Sequence, residues 1–461
     1  MSTKNKNQHL INLIERLIKQ GNKKQFHLFF LKYHEADIAD ALEELPNQSK
    51  QSFFQIAHPD LAVDVLEEME MEDQIPLISQ FKTELAAKYI ERMEPDDAVD
   101  LIEELFESDN EKAQLIFNAL PPKEAKELKE LLAYDDDTAG SLMTSEFLSI
   151  PEKLNVQEAI HAIKKQSPPN SEVSYYIFIV DEKKRLIGYT TLRDLLIKDK
   201  LTNIKDIRND YPIKATTSMD QEDVAAMIQK YNLIALPVVD TTNKLVGIIT
   251  VDDVVDIVVE EATEDIYKLS GTSDISENKL LEGKLIYPIR SRLPWLFITI
   301  FGGMAASLII TEFSSHYDGR FSMALILSFI PLLMGLGGNV GNQSATIIVR
   351  GLSTGHVKAT YYLKTILRET IVGFTLSAIM SAAVFLFNQA FSFPIELTLI
   401  VSFSLIANIT SAAIIGASLP LIFKKIGIDP AVASAPFIST TLDIISQLIY
   451  FFFLLYFTVS L

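Results

Sequence analysis

The apolar positions of this chain follow three different patterns from one end to the other. Up to about Leu132 they recur at helical spacing, and from about Gly140 to Val258 they form short β-branched runs that alternate with helices. The remainder contains five apolar stretches long enough to cross roughly 30 Å of hydrocarbon. The predicted spans are Leu293–Thr311, Phe321–Ile348, Thr370–Ala390, Leu397–Phe423 and Ala433–Leu461.

Basic residues in the loops between the spans predict their orientation. Positive charge lies before the first span, between the second and third, and after the fourth: Arg290, Arg292, Arg350, Lys358, Lys364, Arg368, Lys424 and Lys425. The other two loops contain only Arg320. By the positive-inside rule, the N-terminal part is cytoplasmic and the C-terminus lies outside the cytoplasmic membrane.

Two internal repeats are visible before the spans. In the helical part, Asp37–Pro46, Asp60–Met69 and Asp97–Leu105 resemble one another, which predicts stacked short helices in a superhelix. In the α/β part, Gly188-Tyr-Thr-Thr-Leu-Arg-Asp194 is repeated as Gly247-Ile-Ile-Thr-Val-Asp-Asp253. The second repeat predicts two halves of the same strand, turn and helix order.

The excess of acidic charge lies in the part before the spans. The chain has 41 Lys+Arg and 60 Asp+Glu, of which 10 and 6 lie from Lys284 onward, so 31 and 54 precede it. The net charges are −23 before Lys284 and +4 from Lys284 onward. Such a surface repels nucleic acid and attracts cations. With no cysteine, disulfides and thiolate metal sites are excluded, and no catalytic triad, phosphate loop or metal-hydrolase motif suggests an enzyme.

Two polar features interrupt the predicted spans. Pro331 is followed by a run rich in glycine, asparagine and glutamine that ends at Gln343, and Asp443 precedes a largely apolar tail. Polar backbone and carboxylates at membrane depth are costly, so they mark an ion path unless packing explains them. Helix packing explains the glycines but not Asn339, Asn342 and Gln343.

Structural alternatives exist for several of these residues. An aspartate such as Asp443, which follows Thr440 and Thr441, is often a helix N-cap. Asn408 in the fourth span is interpreted as an interhelical hydrogen-bonding group. Pro331 and Pro436 are predicted to break their helices and expose carbonyl groups.

The α/β repeat resembles a CBS-domain pair, and the run Gly335–Gln343 after Pro331 resembles the MgtE family of magnesium channels and transporters. The segments Tyr134–Thr144 and Asp253–Asp265 are also similar to that family. The resemblance covers nearly the whole chain and implies a multidomain protein. Its expected parts are an α-helical superhelical repeat domain (1–133), an α/β CBS-domain pair (134–258), a connecting helix (259–284) and an α-helical five-span transmembrane pore domain (285–461).

The family resemblance implies a homodimer in membrane lipid, with a magnesium pore on the twofold axis. Magnesium takes oxygen ligands and loses water reluctantly, so facing Asp443 carboxylates would hold a hydrated ion. The implied pore ligands are Asp443 and Asn339. The implied sensor ligands are Asp96, Asp100 and Asp253 between repeat domain and CBS pair, and Asp256, Glu261, Glu264, Asp265 and Asp429 between the pair, the connecting helix and the pore. The chain departs from the family at Asn232, where a carboxylate is expected.

The CBS motifs also have a competing interpretation. Thr191 with Asp194, and Thr250 with Asp253, match the hydroxyl-plus-carboxylate pattern that CBS domains use on ribose. The resemblance therefore leaves open ATP or another adenine nucleotide as a cofactor beside Mg²⁺. Asp253 would not easily serve nucleotide and magnesium at once.

The sequence thus predicts a magnesium-selective channel or transporter for magnesium homeostasis, closed by cytosolic Mg²⁺. Two carboxylates about 4 Å apart repel by about 1 kcal/mol in water and about 4 kcal/mol at an effective dielectric of 20, and bound divalent cations would reverse that repulsion. Two alternatives remain. One is a membrane-anchored nucleotide or divalent-cation sensor that does not conduct, and the other is a broader Mg²⁺/Co²⁺ secondary transporter.

Overall fold

The computed structural model describes residues 3–166, 175–210, 213–272, 280–281, 284–358 and 361–460. The chain divides into two compact units, Met1–Ile257 and Val258–Leu461. This division falls inside one continuous helix, so the predicted connecting segment 259–284 begins within a helix and not at a loop. Residues 273–279 and 282–283 of that segment lie outside the described residues.

The first part of the chain is helical, as predicted. Its helices often begin with proline at the first position and aspartate in the first turn, which suit the free N–H groups and the helix dipole there. The helices are α1 (Thr3–Gln20), α2 (Lys23–Phe30), α3 (Glu35–Glu43), α4 (Asn47–Ile56), α5 (Pro59–Glu67), α6 (Met71–Gln80), α7 (Thr83–Ile90), α8 (Pro95–Ser108), α9 (Asn110–Ala119) and α10 (Pro122–Leu131).

A recurring glutamate links successive repeats of this helical part. Glu43, at the end of α3, accepts a 2.8 Å hydrogen bond from the backbone N–H of Glu70, the residue that precedes α6. Glu67, at the end of α5, accepts the equivalent 2.8 Å bond from Glu94, which precedes α8. Each glutamate therefore satisfies a helix N-terminus that the repeat itself leaves without a side-chain cap.

The CBS pair forms two small sheets with the same topology. In each sheet the first strand pairs parallel with the second, and the second pairs antiparallel with the third. The strands are β1 (Ser149–Pro151), β2 (Tyr176–Val180), β3 (Leu186–Thr191), β4 (Ala215–Thr216), β5 (Ala235–Val239) and β6 (Leu245–Thr250), and the helices are α11 (Val156–Gln166), α12 (Leu192–Ile197), α13 (Ile204–Ile207), α14 (Gln221–Tyr231) and α15 (Val251–Leu269). The predicted internal repeat is confirmed.

The glycine of each repeated motif lies where another segment crosses the strand. A Cβ atom on Gly247 would lie 2.8 Å from the carbonyl oxygen of Thr144, and one on Gly188 would lie 2.6 Å from that of Asn209. Both crossing segments also pair with the strand through isolated β-bridges. Close backbone approach therefore explains why glycine occupies both positions.

Repeat helices and CBS pair share one apolar core within the first unit. Buried side chains extend from Leu10 in α1 to Leu131 in α10 and continue through Val224 and Ile249 of the pair to Ile257 in α15. The helix that carries Asp96 and the motif that carries Asp253 are consequently held against each other by apolar packing.

Among its described residues, the second unit contains five helices long and apolar enough to span a membrane, as predicted. They are α16 (Ile286–His316), α17 with α18 (Met323–Leu327 and Ile330–Ser353), α19 (Tyr362–Ala390), α20 (Ile395–Lys425) and α21 (Ala435–Ser460), with a 3-10 turn at Pro430–Val432. Pro331 and Pro436 each lie in the first turn of a helix. The expected break occurs before Pro331, between α17 and α18, whereas Pro436 interrupts no helix because it begins one.

Candidate functional site

The glycine run of the second span is helical and marks the crossing of three helices. A Cβ atom on Gly416 of α20 would lie 2.2 Å from the carbonyl oxygen of Gly341 in α18. A Cβ atom on Gly341 would in turn lie 2.1 Å from the side chain of Leu442 in α21. Tight packing therefore explains these glycines, as in other membrane helices with small residues at their contacts.

Asn408 is a structural group at this crossing. It is fully buried in α20, donates a 2.7 Å hydrogen bond to the carbonyl oxygen of Leu333 in α18, and accepts a 2.7 Å bond from Ser446 of α21. These contacts confirm its interpretation as an interhelical hydrogen-bonding group.

The remaining polar residues of the run fall into two groups. Asn342 donates a 2.9 Å hydrogen bond to Ser439 of α21, while its own side-chain oxygen is buried without a partner. Asn339 and Gln343 are exposed. Together with Gly335, they are spaced four residues apart and form one face of α18. Packing within a single chain therefore accounts for Asn342 but not for Asn339 or Gln343.

Asp443 lies inside the last helix and is not an N-cap. Helix α21 begins at Ala435, so Asp443 is two turns into it and partly buried. Within the described ranges, no group forms a hydrogen bond or an ion pair with its carboxylate. An unpaired carboxylate at this depth is expensive, and its presence indicates function more than structure.

An acidic contact between the repeat helices and the CBS pair brings Asp96, Asp97 and Asp253 together. Burial, followed by repulsion from Asp253, raises the pKa of Asp96, and its Oδ1 atom is buried without a hydrogen-bond partner. Burial, followed by repulsion from Glu67 and Glu94, raises the pKa of Asp97 to about 8. Burial also raises the pKa of Asp253. In the described part of the chain, no positively charged group is among the main causes of these pKa shifts, and a bound cation would supply one.

Two other predicted sensor residues lie at the edge of this contact. Asp100 is exposed and acts on Asp97 by charge repulsion. Asp256 is exposed on α15 and repels Glu68 of the repeat helices, whose pKa is raised mainly by burial. Sequence reasoning grouped Asp97 with Asp96 and Asp100 as clustered carboxylates but gave it no ligand role, and it did not single out Glu68. The repeat offered a signal for Glu68, which lies next to the end of the Asp60–Met69 unit.

The CBS threonines and aspartates bond to each other within each motif. Thr191 caps α12: its hydroxyl donates to the carboxylate of Asp194 at 2.7 Å, and the backbone N–H of Asp194 donates to that hydroxyl at 3.1 Å. Thr250 likewise donates its hydroxyl proton to Asp253. The pattern that suggested ribose binding thus has a structural role in starting both helices.

The end of α15 carries a second polar cluster, within the second unit. Asp265 accepts a 2.7 Å hydrogen bond from Ser353 at the end of α18, and burial raises its pKa. Lys268 donates a 2.8 Å hydrogen bond to Asp429 and also forms an ion pair with Glu264. Burial lowers the pKa of Lys268, but the bonds to both carboxylates outweigh this effect, and the pKa is raised overall.

The structure therefore brings Glu264, Asp265 and Asp429 together. Sequence reasoning missed Lys268 and Ser353. The i,i+4 spacing of Glu264 and Lys268 was the available signal. Over the ranges that the structure covers, no three His, Asp or Glu side chains are close enough to hold a metal ion in this conformation.

Asn232 has a conformational explanation. It ends α14 in the left-handed helical region, with φ +50° and ψ +49°. Asparagine adopts this conformation more readily than most residues, and it commonly ends helices in this way. The departure from the expected carboxylate thus fits a helix C-cap at this position.

Comparison with known families agrees with this arrangement. The family model described as a divalent cation transporter matches residues 330–453, the MgtE intracellular N domain matches 33–137, and the CBS domain matches 139–199 and 204–260. The magnesium transporter MgtE of Enterococcus faecalis is 38% identical over 332 residues, which are 71% of this chain and 71% of the relative. This chain belongs to the MgtE family of magnesium transporters. Members of this family are transporters and not enzymes, in agreement with the sequence prediction.

Two solved structures resemble the part of this MgtE family member that precedes its five apolar helices. The crystal structure of the soluble part of a magnesium transporter is 32% identical, with a TM-score of 0.51, and covers 56% of this chain and 99% of its own. The cytosolic domain of the Mg²⁺ channel MgtE in complex with ATP is 30% identical, with a TM-score of 0.50, and the match covers 53% of this chain and 98% of the solved chain. These likenesses bear out the predicted repeat domain and CBS pair.

Proposed function

We propose that this protein is a homodimeric, magnesium-selective channel of the cytoplasmic membrane, closed by cytosolic Mg²⁺ and serving magnesium homeostasis. The observation that carries the proposal is the unpaired carboxylate of Asp443 inside α21. Membership of a magnesium transporter family identifies the cation as the substrate. The proposed domains are 1–133, 134–258, 259–284 and 285–461.

In the proposed pore, Asp443 and Asn339 contact the water shell of the passing ion. Magnesium dehydrates reluctantly, so oxygen groups that accept hydrogen bonds from its bound water are better suited to rapid passage than direct ligands. Asn339 is exposed on α18 and adds an uncharged oxygen. Two copies of Asp443 across a twofold axis would supply two negative charges to the site.

An exposed apolar stripe on α15 supports the proposed homodimer. Val251, Val255, Val259 and Ile266 lie along one side of this helix, and Val255 and Val259 are 58% and 62% exposed. We propose that a second copy covers this stripe. Because the chain has no native cysteine, a disulfide between Val259→Cys subunits would report the contact, and Leu115→Cys, which is 58% exposed on α9, is the matched control. Cross-linking that is equal at both positions would contradict the proposed interface.

The proposed sensor uses the acidic contact between repeat helices and CBS pair. Asp96, Asp100 and Asp253 would hold Mg²⁺ there, because a divalent cation offsets their repulsion and gives the buried Oδ1 of Asp96 a partner. A second group, Asp256, Glu261, Glu264, Asp265 and Asp429, would act at the ends of α15 and the pore helices. With little Mg²⁺ the carboxylates repel and the channel opens, whereas bound Mg²⁺ holds them together and closes it.

A nucleotide at the CBS pair is the remaining part of the proposal. A similar cytosolic domain was solved with ATP. Here the candidate contacts are Thr191, Asp194 and Thr250, whose hydroxyl and carboxylate groups already bond to each other. ATP bound there would therefore regulate the channel by breaking these bonds and rearranging the first turns of α12 and α15. Equilibrium binding of ATP to the full-length protein, compared with Thr191→Val, tests this part.

We further propose that the N-terminal part is cytoplasmic and the C-terminus is outside. Single cysteines in place of Asp318 and His356, both exposed, would lie in loops on opposite sides of the membrane. An impermeant thiol reagent added to inside-out vesicles is expected to label His356→Cys and not Asp318→Cys. Labelling of both from one side would refute the topology.

The central experiment is magnesium flux into liposomes that contain the purified protein. We expect flux in the native protein, independent of sodium and proton gradients, and a large loss in Asp443→Ala. Asp318→Ala, which removes an exposed loop carboxylate, is the matched control. No flux in the native protein would support a membrane-anchored sensor, and a requirement for an ion gradient would support a secondary transporter.

A further inference from the structure

The ammonium group of Lys268 lies between two carboxylates at the junction of α15 and the pore helices. It donates a 2.8 Å hydrogen bond to Asp429 in the turn before α21, and it forms an ion pair with Glu264 one turn earlier on α15. Only 17% of the Lys268 side chain is exposed, so these contacts are partly shielded from water. Ion pairs in such a setting are stronger than those on an open surface.

Other contacts hold the end of α15 in the same place. Ser353, at the end of α18, donates a 2.7 Å hydrogen bond to Asp265. Gly271, with φ +80°, packs so closely on Pro436 that a Cβ atom there would lie 2.5 Å from the proline Cγ. The end of α15 thus contacts α18 through Ser353 and α21 through Pro436.

We infer that Lys268 is a built-in counter-cation that docks α15 on the pore helices at low magnesium and that cytosolic Mg²⁺ displaces it. The inference rests on the proposed gating function and deepens it. Lys268 bridges the two carboxylates that a divalent cation would bridge in the sensor, with one positive charge in place of two.

The position of the lysine on the helix explains why it competes effectively. Lys268 and Glu264 are i,i+4 neighbours on α15, so the ammonium group is always at high effective concentration beside its partners. A Mg²⁺ ion that binds Glu264 and Asp429 must first replace the lysine. The contact therefore offsets part of the repulsion between these two carboxylates when Mg²⁺ is absent, and it lowers the affinity of this site for Mg²⁺.

The test measures docking directly with a thiol probe in the cysteine-free chain. Thr272 is only 8% exposed in the docked arrangement, and its hydroxyl bonds to the carbonyl oxygen of Tyr267. The labelling rate of Thr272→Cys by a maleimide in the full-length protein therefore reports undocking of α15. The rate is measured in EDTA and in saturating Mg²⁺ for this parent and for three variants of it, Lys268→Met, Lys268→Arg and Lys425→Met.

In EDTA we expect Lys268→Met to label about tenfold faster than the parent, the factor that a single charge-assisted hydrogen bond supplies. Lys268→Arg keeps the charge and should label at the parent's rate, as should Lys425→Met, which removes an exposed lysine of the same loop region. Saturating Mg²⁺ should slow labelling of Lys268→Met to the parent's rate, which also shows that the variant is folded.

Equal rates for Lys268→Met and its parent in EDTA would overturn the inference. A second outcome is that Lys268→Met labels faster than the parent in EDTA, Lys268→Arg labels at the parent's rate, and Mg²⁺ alters the labelling rate of no variant. This outcome would support the lysine contact and contradict the proposed gating by Mg²⁺. The two proposals are therefore separated by the EDTA and the Mg²⁺ measurements.

Discussion

Asp96 faces Asp253 across the contact between the repeat helices and the CBS pair, and neither carboxylate has a positive partner among the groups that shift its pKa. Asp96 is the more constrained of the two, because its Oδ1 atom is buried without a hydrogen bond. The native arrangement therefore holds unfavourable energy that neutralisation or a cation would release.

Replacing Asp96 by Asn should stabilise the protein when divalent cations are removed. The substitution relieves repulsion of Asp253, and each pKa unit of such repulsion corresponds to about 1.4 kcal/mol. We expect a higher melting temperature in EDTA and a smaller further rise on adding Mg²⁺. Asp223→Asn, in an exposed position on α14, is the control and should change neither value. An unchanged response to Mg²⁺ in Asp96→Asn would remove this residue from the sensor.

Stability in EDTA should fall as the pH rises from about 5 to about 8. Burial raises the pKa of Asp97 to about 8, well above that of an unfolded aspartate, so the folded state holds a proton that the unfolded state has released. In this window the loss should be at most about 1.4 kcal/mol per pH unit, and it should level off above pH 8. Melting temperatures across this range, compared with Asp97→Asn, check the assignment. If the melting temperature of Asp97→Asn fell as steeply with pH as that of the native protein, other groups would be responsible for the pH dependence.

Glu43→Ala should destabilise the repeat helices by about 1 kcal/mol, the usual effect of losing a helix cap. The cause is loss of the hydrogen bond from the N–H of Glu70 at the start of α6. Hydrogen exchange should increase at the first turn of α6. Glu43→Gln retains an acceptor and should restore most of the protection, which a role for the charge alone would not predict.

Asn408→Ala should lower stability in detergent by about 0.6 to 2 kcal/mol, the range for interhelical hydrogen bonds in membrane proteins. The loss follows because the carbonyl oxygen of Leu333 and the hydroxyl of Ser446 lose their partner. Ser446→Ala and the double variant complete a cycle in which the two effects should not be additive. Asn339→Ala is the control for stability, because Asn339 is exposed.

Gly416→Ala should disrupt the second unit more than the same substitution at any surface glycine. The new methyl group would meet the backbone of Gly341 at 2.2 Å, and backbone moves only if the helices separate. Gly303→Ala in α16 has open space around its Cβ position and is the matched control. We expect loss of the monodisperse gel-filtration peak for Gly416→Ala only. If both variants gave the same gel-filtration profile, the helices at this crossing would be packed less tightly than the Cβ distance indicates.

Much of this arrangement could be predicted from the sequence because it depends on periodicity. The five spans, the superhelical repeats and the two CBS halves each produce a regular pattern of apolar residues, and packing followed that pattern. The role of Asn408 was also predictable, since an asparagine in an apolar span needs partners on other helices.

Other features depended on contacts between distant segments. Nothing around Lys268 indicates that Asp429, 161 residues later, would accept a hydrogen bond from it. Asn342 and Asn339 look equivalent in the sequence, yet only Asn342 faces α21, because the two residues lie on different sides of α18. The ends of the predicted spans were also displaced, since caps and prolines determine where a helix begins.

The glutamate links between the repeats all run in one direction along the chain, from the end of one helix to the start of a later one. Glu67 of α5 caps α8, and α8 carries Asp96 in its first turn. The start of the helix that carries Asp96 thus depends on a side chain 27 residues before Glu94. Each repeat therefore helps to determine where the next acidic helix begins, and the position of the Asp96 carboxylate depends on a residue outside its own repeat.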